Sequence, residues 1–326
     1  MFEMLSQLYY KDHYRYSLGF SFFSGSQGGN KYMLNSIAIE VTERAFLPES
    51  YAYRDYFRQH GLKCDILKKG DKSLFDYDAV MLFHGFHPFW RKYPSIIIGE
   101  YHSLSVSRFS RVKDLIKRII NVRSDLYIFL NEEIRKKMWF SDRKNYFLRS
   151  MGYSKTGFET FNDEVKKFDV VYCGSYRDGV FEIIEKVAEI GLSIAVVGFE
   201  VPLKHKKITS FGRKTLKEAR QIISQAKVGL NYTPDVFPLN IQDSTKVIEY
   251  CAAGLGVITN RYKWVDEFEK SRNAVFLSLD SVETKKDVLE FNFKVPDLDD
   301  LDWNVLLDRT GIVEYFAKIE NGCAKK

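Results

Sequence analysis

Cysteine is scarce in this chain. Cys64, Cys173, Cys251 and Cys323 are spread over 326 residues, with neither the C-x-x-C spacing of metal and redox sites nor the dense spacing of a disulfide-stapled secreted domain. A reducing compartment is the simpler expectation. Long apolar runs are missing too: nothing approaches the roughly 18 residues of a membrane-spanning helix, and the opening MFEMLSQLYY has neither the basic nor the apolar stretch of a signal peptide. A cytoplasmic protein that is not exported is expected. Two ligand signatures are lacking as well. The stretch Ser24-Gly25-Ser26-Gln27-Gly28-Gly29-Asn30 would let a sugar or diphosphate approach the backbone at Gly25, Gly28 and Gly29, but it lacks the G-x-G-x-x-G order of a dinucleotide site. No D-x-D metal motif follows an expected strand, since Asp76-Tyr77-Asp78 precedes one, and His84 with His87 has no third ligand. No metal and no cofactor is expected.

What is present describes a folded two-domain protein. Hydrophobic residues make up 45% of the chain and aromatics 15%, too many for disorder, and the length fits two domains of about 150 residues each. The net charge of +6 favours anionic partners. Short apolar runs rich in β-branched and aromatic residues alternate with longer charged stretches of helical period, the pattern of parallel sheets covered by helices. In the first half strands are predicted near Ser17 to Phe23, Lys63 to Leu67, Tyr77 to Phe83, Ser95 to Gly99 and Asp125 to Leu130, with helices over Glu49 to His60 and Arg108 to Asn121. The second half predicts strands at Asp169 to Cys173, Ser193 to Gly198, Val228 to Tyr232 and Gly256 to Thr259, with helices near Asp178 to Ile190, Thr215 to Ala226 and Ser244 to Ala253. The fold class is therefore α/β, with two Rossmann-like domains, 1–155 and 156–302, facing a central cleft. The last residues, 303–326, form an amphipathic stretch, Trp303 to Ile319, expected to pack back towards the first domain.

Two motifs carry chemistry. DVVYCGSYRDG leads from a buried strand through Gly174, Ser175 and Arg177 into a helix, and such a turn presents backbone N–H groups, a hydroxyl and a guanidinium to a diphosphate. The alternative is a plain turn with a solvated arginine. In DSTKVIEYCAAGLGVITN, Ser244 caps a helix on which Lys246 and Glu249 are three apart and share a face. Ser244, Thr245 and Lys246 then stand at the positive end of the helix, where phosphate oxygens bind, and Glu249 can accept bonds from ribose hydroxyls. The alternative is a surface ion pair.

These residues, in this order, resemble the carboxyl-terminal domain of GT-B glycosyltransferases, whose K/R-x-x-E-x-x-A-x-G helix grips the donor. Within that superfamily the G-S-x-R-x-G turn is similar to that of phage DNA β-glucosyltransferases. The resemblance covers roughly Asp169 to Asn260. It implies Ser175 and Arg177 at the diphosphate, Lys246 at phosphate or ribose, and Glu249 at the ribose. The loop of ITSFGRKT resembles the segment that packs on the nucleobase, which makes Phe211, Gly212 and Arg213 expected base contacts. One position departs from the pattern: many retaining enzymes carry a second glutamate eight residues before the ribose glutamate, and here that residue is Ile241, with Asp243 out of register. Inversion is the expectation.

Inverting transfer needs a group that takes the acceptor's proton. Glu100, read as following a buried strand, is the expected base, as the resemblance also implies; His84, His87 and His102 are the alternatives. The helix over Arg108 to Asn121 sets Phe109, Val112, Ile116 and Ile119 on one side and basic residues elsewhere, which suits either a covering helix with a solvated basic face or peripheral contact with anionic lipid at the inner face of the membrane. The residues together lead to the expectation of transfer of a sugar from a nucleotide sugar to a saccharide or lipid-linked saccharide acceptor of a capsule or lipopolysaccharide type. A DNA-base glucosyltransferase, a sugar-nucleotide epimerase and an inert nucleotide-sugar binder stay open.

Overall fold

The computed structural model describes residues 34–42, 47–83, 85–102, 104–105, 109–138, 145–155, 158, 166–202 and 205–320. The expected strand Ser17 to Phe23, the loop with Gly25, Gly28 and Gly29, and His84 lie outside them.

The first half contains a six-stranded sheet of β1 (Ser36–Val41), β2 (Lys63–Lys68), β3 (Ala79–Phe83), β4 (Ile96–Tyr101), β5 (Leu126–Phe129) and β6 (Tyr146–Leu148) in the order β2-β1-β3-β4-β5-β6. Every pairing is parallel, and near-continuous apolar strands such as Ala79–Phe83 are buried, as parallel sheets covered on both faces require. Helix α1 (Pro48–Gln59) packs Tyr53, Tyr56 and Phe57 on this sheet, α2 (Ser110–Ile120) joins β4 to β5, and α3 (Glu132–Lys137) follows β5 under an Asn131 cap.

The second half repeats the plan: β7 (Phe168–Cys173), α4 (Val180–Glu189), β8 (Ile194–Val197), β9 (Ile208–Ser210), α5 (Leu216–Ser224), β10 (Ala226–Asn231), α6 (Thr245–Ala252), β11 (Gly256–Thr259), α7 (Lys263–Ser271) and β12 (Leu277–Ser278), followed by the short α8 (Lys285–Leu289). Its strands run parallel in the order β12-β11-β10-β7-β8-β9. Two reversals of strand order, β1 beside β3 and β10 beside β7, each open a crevice at the carboxyl ends of the strands, where α/β proteins hold ligands.

The chain then returns to the first domain. Tyr153 and residues 301–303 exchange backbone hydrogen bonds, and α9 (Trp303–Thr310) with α10 (Ile312–Glu320) places Leu307, Ile312 and Phe316 among the side chains of α1. The stretch expected as one amphipathic element is two helices, because Gly311 takes φ 64° between them. Tyr56 donates to Asp308 at 2.9 Å, and the Phe57 and Phe316 rings lie 5.9 Å apart.

Strand β1 was not among the predicted strands. Its sequence SIAIEV carries Glu40, which is 2% exposed; a strand can hold that carboxylate because Arg91 grips both its oxygens and His87 stands 3.4 Å away. A second correction concerns Glu100, which lies inside β4, not beyond it.

Candidate functional site

Between the domains lies a cleft of about 760 Å³ whose walls include Gly174, Ser175, Arg177, Gly198, Arg213, Asp243, Ser244, Thr245, Lys246 and Glu249 from the second domain, and Glu49 and His102 from the first. The turn after β7 and the start of α6 thus converge at the β7/β10 reversal.

Two observations explain how the backbone is brought this close. The Gly174 N–H donates to Val197 O at 2.9 Å, and Gly198 follows with φ 119°; a Cβ there would overlap the Gly174 carbonyl oxygen. Only glycine fits that position. Tyr172 donates its hydroxyl to the Ser175 carbonyl at 3.0 Å and fixes the turn from below.

At the head of α6, the Ser244 hydroxyl accepts from the Val247 N–H and donates to Asn231 Oδ1. Its role is to cap the helix, which leaves the backbone of the first turn and the side chains of Thr245 and Lys246 for a ligand. Lys246 makes no ion pair with Glu249. Among the described residues neither Lys246 nor Arg177 has a carboxylate partner. Burial, with repulsion from Arg177, brings the Lys246 ammonium down to about 7. Glu249 lies 3.8 Å from Arg220, and burial raises its carboxyl despite that cation. Arg177 and Lys246 are thus cations on this wall that no carboxylate among the described residues neutralises by a salt bridge or hydrogen bond, although Asp243 and Glu249 line the same cleft.

The nucleobase loop is divided by the structure. Phe211 turns its ring edge-on to Phe168, centroids 5.9 Å apart, and is packed against the core; Gly212 accepts from the Gly198 N–H. Neither lines the cleft. Arg213 does, with Lys214 and Leu216. Of the three residues expected at the base, the cleft therefore brings only Arg213 to its wall, because loop sequence reveals proximity but not which way a ring points.

The first domain presents a different wall. Glu100, 1% exposed, is bonded through one oxygen by both Arg149 and His102. Burial would raise its carboxyl, but Arg149 and His102 outweigh that and hold it at about 2. A buried, doubly paired carboxylate of this kind is a poor proton acceptor. His102 is pinned on its other side, its Nδ1 being 3.1 Å from Glu49 Oε1; against burial, Glu100 and Glu49 lift the imidazole to about 9. His87 lines a smaller cavity of about 220 Å³ with Glu40, Glu100 and His102, which adjoins the cleft at His102 but contains no residue of the donor wall.

Two cleft carboxylates carried no catalytic role in the sequence reading. Glu49 opens α1, and its Oε2 has no hydrogen-bond partner among the described residues. Asp243 precedes the α6 cap, accepts from the Met151 N–H at 2.8 Å, and has its carboxyl raised by burial to about 6. The signal for Asp243 was its place beside the capping serine; none marked Glu49.

No protein-family model matches the sequence, and no curated protein does. Solved structures do. AviGT4, a glycosyltransferase involved in avilamycin A biosynthesis, superposes with a TM-score of 0.58 at 12% identity, over 88% of this chain and 98% of its own. HepE of Anabaena, solved in complex with UDP and glucose, superposes with a TM-score of 0.53 at 10% identity, over 89% of this chain and 94% of its own. At such identities the likeness speaks for the fold. With its two parallel sheets, its helices on both faces and its intervening cleft, the chain has the GT-B fold of these glycosyltransferases.

Proposed function

We propose that the protein is a glycosyltransferase that takes a sugar from a nucleotide-diphosphate donor held on the second domain and passes it, with inversion and without a metal ion, to a saccharide acceptor of a cell-surface polysaccharide. One observation carries the donor reading: Arg177 and Lys246 share the cleft with a helix N-terminus, and among the described residues neither is paired with a carboxylate. A diphosphate supplies the missing charge, and charge-assisted bonds from these groups stabilise it as it leaves. Glu249 takes the ribose and Arg213 flanks the base. The UDP and glucose bound to HepE agree with such a donor.

In the transfer an acceptor oxygen attacks the anomeric carbon, the bond from that carbon to the diphosphate oxygen breaks, and the acceptor's proton must be taken up. We assign that proton to Asp243. It lines the cleft and its carboxyl near 6 is matched to neutral pH. Glu100 is set aside because its charge is already spent on Arg149 and His102.

The test is a thermal-shift panel of nucleotide diphosphates and nucleotide sugars followed by transfer assays with and without EDTA. A ligand that binds only the native state raises its melting temperature. UDP-type ligands should stabilise the wild type and not a Lys246→Ala/Glu249→Ala variant; Asp243→Asn should bind donor yet lose transfer about 100-fold or more. Absence of any nucleotide shift would overturn the donor reading, conversion of the donor with no acceptor present would replace transfer by epimerisation, and inactivation by EDTA would remove the metal-independent step.

A further inference from the structure

Helix α2 is mounted the wrong way round for a covering helix. Such helices in α/β domains lay their apolar stripe on the sheet and turn their charges to water. At 100° per residue, Phe109, Val112, Leu115, Ile116 and Ile119 fall within an arc of about 120°. That arc faces outward: Phe109 is 65% exposed, Val112 54%, Ile116 43% and Leu115 37%, and no residue of the helix is buried. The polar side is what holds the helix to the domain. Asp114 accepts from the Ser105 N–H at 3.1 Å, Lys117 donates to the Ser105 hydroxyl at 2.8 Å, and Arg118 donates to the Lys137 carbonyl. Half of the alternative posed by the sequence, a buried apolar face, is therefore absent.

The exposed stripe has company. The Phe89 N–H donates to Ile120 O, and Val122 N–H to His87 O, so the loop 86–90 is tied to the last turn of α2. That loop exposes Phe86, Phe89 and Trp90, the last at 63%. Basic residues border the patch: Arg111 on one flank of the stripe, Lys113 on the other, and Lys92 beside Trp90, all exposed. The one acidic residue of the helix, Asp114, is on the domain side.

We propose that α2 and the loop 86–90 form a seat for an anionic lipid bilayer, entered in the plane of the interface by the apolar stripe and Trp90, with Arg111, Lys113 and Lys92 reaching the headgroups. The combination of an apolar stripe, an interfacial tryptophan and flanking cations matches that surface. A second copy of the chain is disfavoured as the occupant because two such faces would bring like charges together. No helix among the described residues is long and apolar enough to cross a membrane, so contact of this kind is peripheral. The proposal stands whether or not the cleft transfers a sugar. It does place the bilayer on the domain whose β4 is followed by the cleft residue His102, shortly before α2 begins.

The experiment is co-sedimentation of the full chain with vesicles of phosphatidylcholine, with and without phosphatidylglycerol, and tryptophan fluorescence in the same samples. The wild type should pellet with the anionic vesicles and shift its emission to the blue. Val112→Ser/Ile116→Ser and Arg111→Gln/Lys113→Gln should each bind about tenfold or more weakly, while retaining the wild-type melting temperature. No pelleting with anionic vesicles, or equal pelleting by the variants, would overturn the proposal. So would a dimer in light scattering that Val112→Ser/Ile116→Ser dissolves, since the face would then be a protein interface.

Discussion

The two walls of the cleft treat charge in opposite ways. On the first domain, Glu49, His102, Glu100 and Arg149 form a chain in which every cation has a carboxylate, and Glu40, Arg91 and His87 form a second. On the second domain, Arg177 and Lys246 stand together with no paired carboxylate among the described residues. A buried charge without a partner is costly, so a fold keeps one where a ligand completes it, whereas a neutralised chain shapes a wall and holds it rigid. The difference teaches that charge balance, more than the number of charged residues, tells a binding wall from a structural one.

The comparison is broken most forcefully from the structural side. Arg149→Met strips Glu100 of its main partner in a fully buried place, and should cost about 3–5 kcal/mol in denaturant unfolding; adding Glu100→Gln should recover much of that loss. The pH signs follow. Glu100 at about 2 lies below its usual 4.5, so its contribution is complete above 4.5 and is lost as pH falls towards 2. His102 at about 9 lies above its usual 6.5, so its contribution is complete below 6.5 and is lost as pH rises through 9. A single-step loss of stability near pH 6.5 would contradict the imidazolium reading.

Next in size is Gly198→Ala. The new Cβ would meet the Gly174 carbonyl, and a φ of 119° disfavours any side chain. We expect destabilisation of about 1–3 kcal/mol together with loss of the nucleotide-induced thermal shift. A variant that binds nucleotide normally would separate the turn from the donor site.

These two sites also show what a sequence discloses. The donor wall was readable because each of its parts is local: a turn follows its strand, and Ser244, Lys246 and Glu249 sit on one short helix. The first-domain wall joins residues 49 apart in the chain, and no spacing rule links them. Glu100 was drawn into a catalytic reading because a strand boundary placed two residues early put it outside the sheet. Strand β1 escaped for the converse reason, since the groups that hold Glu40, Arg91 and His87, lie far along the chain.

On the donor wall, Lys246→Ala should weaken binding of a nucleoside diphosphate by about 1.5–3 kcal/mol, the range of a hydrogen bond to a charged group. The same change should leave the protein at least as stable as the wild type, because it removes a cation that repels Arg177. Calorimetric titration and thermal unfolding of one preparation measure both. Equal affinity, or a large loss of stability, would make Lys246 part of the structural class instead.

The smallest effect is the most specific. With its ammonium at about 7, Lys246 is mostly neutral in the free protein at pH 8, and a diphosphate placed beside it favours the charged form. Binding at pH 8 should therefore take up a proton, approaching about one per ligand, and the uptake should fade towards pH 6, where the lysine is already charged. Calorimetry in two buffers of different ionisation enthalpy reads this directly. The folded value lies below the usual 10.5, so the unfolded chain binds more protons between about 7 and 10.5 and stability should rise with pH across that window. Lys246→Met should abolish both the uptake and this slope. Proton uptake that survives in Lys246→Met would move the titrating group elsewhere in the cleft, with Asp243 the first to examine, and its signature would centre near pH 6 instead.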